Sequence, residues 1–198
     1  MVAVRVNGSE SGVSPGRLQK LTDLIELIKS QIDPNHMITA IRIDGRELEE
    51  HEWSSSLGQF ETNILEIETD TPESFVAARI EKSPEVVRSM HLLFRDSRKG
   101  FQSGDMSLGN RRMIEAVNTS RAFFEWYNSL LHLMPEANRA KFDINPQVAE
   151  ISDVCKRICQ QQLYQSWWAL GETVEKELEP KLERLEDTLR TIRRQTMA

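Results

Sequence analysis

Few side chains in this 198-residue sequence have types and spacings suited to chemistry, and each such set has a simpler reading beside it. The two cysteines, Cys155 and Cys159, stand four residues apart, so both thiols fall on one helical face. Such a pair can give zinc two soft ligands if a histidine completes the set. Both also lie on or beside an apolar stripe of Val148, Ile151, Leu163 and Leu170, and free cysteine is among the most buried residue types. Core packing is the expected role, with a thiol- or metal-dependent site as the alternative. Their spacing is poor for a disulfide framework and suits a reducing compartment, so a cytoplasmic location is expected. The histidines His36, His51, His91 and His132 fall in separate segments, with no nucleophile-elbow motif and no Cys-His pairing. Glu47, Glu49, Glu50 and Glu52 could contain an acid–base pair, but a charged run after a turn reads as a solvated face. No Glu-x-x-His occurs, which excludes the inward-facing motif of di-iron bundles. Gly100 to Gly109 is glycine-rich and precedes a helix, yet no Lys-Ser/Thr follows to hold phosphate and Mg²⁺. No catalytic signature emerges, and no enzyme activity, cofactor or metal is expected.

Interaction surfaces are better represented. Arg95, Arg98, Lys99, Arg111 and Arg112 come from two helix ends around that glycine-rich turn. The first three suit a helix C-terminus electrostatically, whereas Arg111 and Arg112 gain nothing from their own helix dipole. A basic end of this kind could dock an acidic partner or the acidic first part of the chain. Farther on, Phe123, Phe124, Trp126, Tyr127, Leu130, Leu131, Leu133 and Met134 cover an arc of about 200°, twice an ordinary one-sided stripe. Such a helix is either enclosed by several neighbours or faces a partner. Tyr164 and Trp168 are expected as i,i+4 neighbours set off the main stripe among glutamines, as paired aromatics at interfaces are. Phe123, Trp126, Tyr127, Tyr164 and Trp168 are therefore the candidate partner-binding residues.

The elements that must position these groups change character near Thr69–Pro72. Before it, Val2–Val6 and Met37–Ile43 alternate as strands do, and Asp44-Gly45 is a two-residue hairpin signal leading to a strand at Arg46–Glu50. A loop from Asn7 to Gly16, a helix carrying Leu18 to Ile32, and a last strand at Ile64–Thr69 complete a β-α-β-β-β module. After it, Thr71-Pro72-Glu73 and Ser83-Pro84-Glu85 are both helix-start signatures, so the first helix is kinked or split between them. A second helix is expected from Asp105 to Met134 and a third from Asn145. Leu178, Leu182, Leu185, Leu189 and Ile192 form a bundle seam. Pro180 interrupts the last segment, and a break between Gly171 and Pro180 is expected to close a four-helix antiparallel bundle; one long projecting helix is the competing reading.

The fold class is thus α+β: a small acidic module at 1–70 followed by a helical bundle at 71–198. Residues 1–73 hold 6 Lys/Arg against 14 Asp/Glu, whereas 74–198 hold 19 against 17. An acidic chain without a long basic run argues against nucleic acid, and no apolar run reaches the length of a membrane span. The helical part, about 74–195, resembles flagellin-export chaperones in its antiparallel helices, its Gly104-Asp105 turn and its aromatic-rich middle. That resemblance implies a groove that holds a secretion substrate's helix, and carries over no individual residue. The expected function is a non-enzymatic interaction module, chaperone- or adaptor-like, whose partner is another protein or a second copy, with neither nucleic acid nor membrane.

Overall fold

The computed structural model describes residues 3–13, 18–60 and 63–196, so Val2 of the first expected strand and Ser14, Pro15 and Gly16 of the expected loop lie outside it. The chain divides into two compact units, Met1–Phe75 and Val76–Ala198. Helix α2, Pro72–Ile80, crosses that division; its start is capped by Thr71, whose Oγ1 accepts the Ser74 N–H at 3.2 Å.

The first unit is a five-stranded mixed sheet crossed by one helix. Its strands are β1 Ala3–Val6, β2 Ser9–Glu10, β3 Met37–Ile43, β4 Arg46–Glu47 and β5 Ile64–Asp70, in the order β2-β1-β5-β3-β4. The central pair β1 and β5 is parallel and all other pairings are antiparallel. Asp44 and Gly45 both have positive φ (48° and 81°), as a type I′ hairpin demands. Asn7 and Gly8 repeat that conformation at 49° and 79°, so the segment expected to be a loop starts as a second hairpin and adds β2. The Asn7 side chain then bridges to β5: its Oδ1 accepts the Thr69 N–H at 2.8 Å and its Nδ2 donates to Thr69 Oγ1 at 2.9 Å. Helix α1 spans only Leu21–Lys29, shorter than its apolar stripe. Lys20, just ahead of it, is held extended instead, because the Leu57 N–H donates to the Gln19 carbonyl and the Leu21 N–H to that of Ser55. Leu21, Leu24, Ile25 and Ile28 from α1 pack on Val4, Ile41, Ile43, Leu65 and Ile67 of the sheet to form this unit's core.

The second unit is an antiparallel bundle built from α3 Ser83–Gln102, α4 Met106–His132, α6 Asn145–Leu163 and the pair α7 Trp167–Thr173 and α8 Glu179–Thr196; a short α5, Glu136–Arg139, links α4 to α6. Helices α2 and α3 are separate, as the two helix-start signatures allow. Helix α3 packs along α4 on one side and α8 on the other, and α6 packs on α7 and α8. Arg157–Glu177 and Lys181–Glu150 ion pairs, together with a Gln161–Thr173 hydrogen bond, register α6 against the returning helix. Leu170, Val174, Leu178, Leu182, Leu185 and Leu189 are its buried seam.

The reversal expected between Gly171 and Pro180 occurs earlier, at Tyr164–Ser166. Gln165 takes φ +53°, the Ser166 N–H donates to the Gln161 carbonyl at 2.8 Å and the Gln165 N–H to that of Gln162 at 3.0 Å, which together make a Schellman stop. Through Pro180 the helix continues. Val174–Leu178 forms a π-helical turn in which the Glu179 N–H donates to the Val174 carbonyl, and the wider turn relieves the clash a proline ring makes with the carbonyl four residues back. Tyr164 and Trp168 are consequently not i,i+4 neighbours on one helix; they flank the reversal.

Candidate functional site

The α3–α4 turn and the α6–α7 turn meet at one end of the bundle. Helices α3 and α4 come very close there: a Cβ on Gly100 would sit 2.7 Å from the Gly109 nitrogen, and one on Gly109 would sit 2.6 Å from the Phe101 ring. The glycines of this turn therefore serve close helix approach, with Ser97 Oγ donating to the Gly109 carbonyl at 2.8 Å. Phe101 is buried and stacks on Trp167 with ring centroids 4.9 Å apart. Gln162 Nε2 donates to Asn110 Oδ1 at 2.8 Å, a second tie between the two turns.

Both groups of residues singled out from the sequence have members at this end, although more than fifty positions separate them. Leu163, Tyr164 and Trp168 are 81%, 81% and 78% exposed. Exposure of three large apolar side chains around one reversal is informative where scattered single ones are not. Leu163 itself carried no separate sequence signal, since its place on the apolar stripe reads as core. Lys99 and Arg111 are exposed, and among the described residues neither pairs with a carboxylate.

Of the other basic candidates, Arg98 and Arg112 are engaged in ion pairs. Arg98 is largely buried, donating from Nε to Glu179 at 3.0 Å and pairing with Glu175 at 3.1 Å, with His91 Nε2 3.4 Å from the other Glu179 oxygen. This cluster clasps α3 to the π-turn. Arg112 pairs with Glu115 at 2.8 Å, and Arg95 is half-buried, its Nε without a hydrogen-bond partner. The wide aromatic arc of α4 also separates: Phe123 and Tyr127 are buried, Trp126 is 38% exposed, and the Tyr127 hydroxyl donates to the Phe142 carbonyl at 2.9 Å. Phe123 packs against both Trp126 and Tyr127, with centroids 5.8 Å and 5.9 Å away. The arc is wide because α4 meets α3 and also covers the Phe142–Ile144 link ahead of α6.

Cys155 is half-buried and Cys159 exposed. Burial, with Cys159 nearby, pushes the Cys155 thiol up to about 11, so it is a protonated and slow nucleophile at neutral pH. Among the described residues no group of three His, Cys, Asp or Glu side chains is placed to hold a metal. In the first unit, Glu52 accepts a bidentate pair from Arg46 at 2.8 and 3.0 Å and the Glu49 N–H at 3.0 Å. Those bonds hold its carboxyl down to about 2, a structural carboxylate rather than a proton donor near neutrality. Glu47 and Glu49 are exposed beside it, and the Glu50 side chain lies outside the described part.

Compared with protein-family models, curated proteins and solved structures, the chain shows no significant match. The likeness of the helical part to flagellin-export chaperones accordingly rests on pattern alone. Among the described residues no helix is long and apolar enough to cross a membrane.

Proposed function

We propose that this chain is a protein-binding module, chaperone- or adaptor-like, that engages its partner through the end of the bundle where α6 turns into α7. The observation that carries this reading is the exposed trio Leu163, Tyr164 and Trp168 on a reversal held in a positive-φ conformation. A non-glycine residue in that region costs about 1 kcal/mol or more, and such strain concentrates where a segment is shaped for recognition. Tyrosine and tryptophan bury much area at little entropic cost, which makes them frequent anchors of binding energy.

Site-specific photo-crosslinking in the native host tests the reading. A photoreactive residue at position 163 or 168 should yield discrete crosslinked products, while one at exposed Ser129 on α4 should not. The same pattern from all three positions, or none from 163 and 168, would refute it. Because Leu163 and Trp168 are so exposed, these replacements should change stability by no more than about 0.5 kcal/mol.

A further inference from the structure

Independently of that surface, we infer that the first unit takes up an extended, basic segment of another protein as an added strand along the open edge of β3. The returning strand expected over Arg46–Glu50 stops at Glu47, and a capping box of Glu49 and Glu52 then starts a 3₁₀ turn, Glu50–Ser54. β4 therefore pairs only with Arg42 and Ile43, and the Leu48 N–H adds one bond to the Ile41 carbonyl at 2.9 Å. On its other side β3 pairs with β5 as far as Met37, which stands opposite Asp70. Among the described residues nothing hydrogen-bonds to the outer edge of Met37–Ala40, and these four residues are only half-buried. The stretch also lacks charge and proline, devices that keep a strand edge from pairing, so its main chain is a template for a further strand.

The surrounding side chains select the occupant. Ile38 packs against the core, whereas Met37 and Ala40 lie on the opposite face, in register with Asp70 and Glu68 of β5. Glu68 pairs with Arg42, and Asp70 pairs with no cation among the described residues. A strand added beside β3 lies two strand spacings, about 10 Å, from β5. From there a lysine or arginine laid over Met37 or the small Ala40 approaches these carboxylates, and the alternate side chains meet Ile38 at the rim of the core. Residues 1–73 hold 6 Lys/Arg against 14 Asp/Glu, a field that attracts a basic segment and repels a second copy of this unit. The bulge at Thr39, between Ile38 and Ala40, points the same way. It kinks the edge, so a second β3 brought up about a two-fold axis would set bulge near bulge, whereas a short segment needs only about four residues beside it.

Display selection of random linear peptides on the full-length protein, with counter-selection on a Met37→Lys/Ala40→Lys variant, tests this. Lysine on a strand edge is compatible with a folded sheet and disfavours both an added strand and its basic residues. The enriched peptides should alternate Lys or Arg with aliphatic residues, and a synthetic one should bind the variant about tenfold more weakly. Methylating alternate backbone nitrogens of that peptide should weaken binding by about the same factor, a readout of main-chain bonds that needs no variant protein. The bound peptide should also slow hydrogen exchange of amides within Met37–Ala40, followed by NMR. Tolerance of N-methylation at every position, or equal binding to the variant, would refute strand addition. Enriched peptides without a basic excess would overturn the basic partner, and a selection that yields no enrichment over the variant would overturn the whole inference. A dimer in sedimentation that the variant abolishes would name a second copy as the occupant instead.

Discussion

Replacing Gly100 by alanine should destabilise the bundle, and the structure sets the size of the effect. The new Cβ would lie 2.7 Å from the Gly109 nitrogen, 2.9 Å from its Cα and 3.3 Å from the Asp105 carbonyl, all of them backbone atoms. No side-chain rotation relieves that contact; α3 and α4 must move apart until the nearest distance grows from 2.7 Å to about 3.4 Å. Overpacking of this kind costs about 1–3 kcal/mol. The gain from alanine in a helix interior, about 0.5–1 kcal/mol, offsets only part of it. Taking the middle of both ranges, a net loss of about 1 kcal/mol should lower Tm by about 3–6 °C for a unit of this size. Gly171→Ala is the paired control. Its Cβ would meet Gln102 Nε2 at 3.4 Å and Arg98 Cγ at 3.8 Å, ordinary contacts with flexible side chains, so it should raise Tm by a few degrees. Thermal melts followed by circular dichroism at 222 nm decide the matter. If Gly100→Ala melts at or above the wild-type temperature, or Gly171→Ala falls as far, the close crossing of α3 and α4 is not the reason for the glycines.

Acid should weaken the first unit through Glu52. Its folded carboxyl is held near 2 against an ordinary value of 4.5, so the stability it contributes is complete above about 4.5 and lost as pH falls through 2. Glu52→Gln should flatten that part of the pH dependence, read from the Trp53 environment by fluorescence; an unchanged profile would remove Glu52 as a cause. Thiol titration at pH 7.5 should give one fast phase from Cys159 and one slow phase from Cys155, whose thiol titrates near 11. Two equally fast phases would revive a reactive pair.

Local physics made much of this fold legible in the residues themselves. Asp44-Gly45 can only close a hairpin of one hand, Thr71-Pro72 can only begin a helix, and the leucine seam from Leu178 to Leu189 must be buried whatever lies opposite. Asn7-Gly8 carries the same hairpin signal, but β2 is two residues long and exists only because β1 is there to pair with. Tertiary contacts decided the rest. The reversal at Gln165 uses a glutamine where glycine is usual, and its cost is met by the packing of α7 and α8 back onto α6, which no local pattern announces. Pro180 marks a break by propensity and is carried through by a π-turn clasped to α3 through Glu179, Arg98 and His91. The basic α3–α4 turn and the aromatic α6–α7 turn came to one end of the bundle in the same way. Composition shows each group, but a helix face points wherever its partners leave room. Only the close crossing at Gly100 and Gly109 and the Phe101–Trp167 stack bring them to one end.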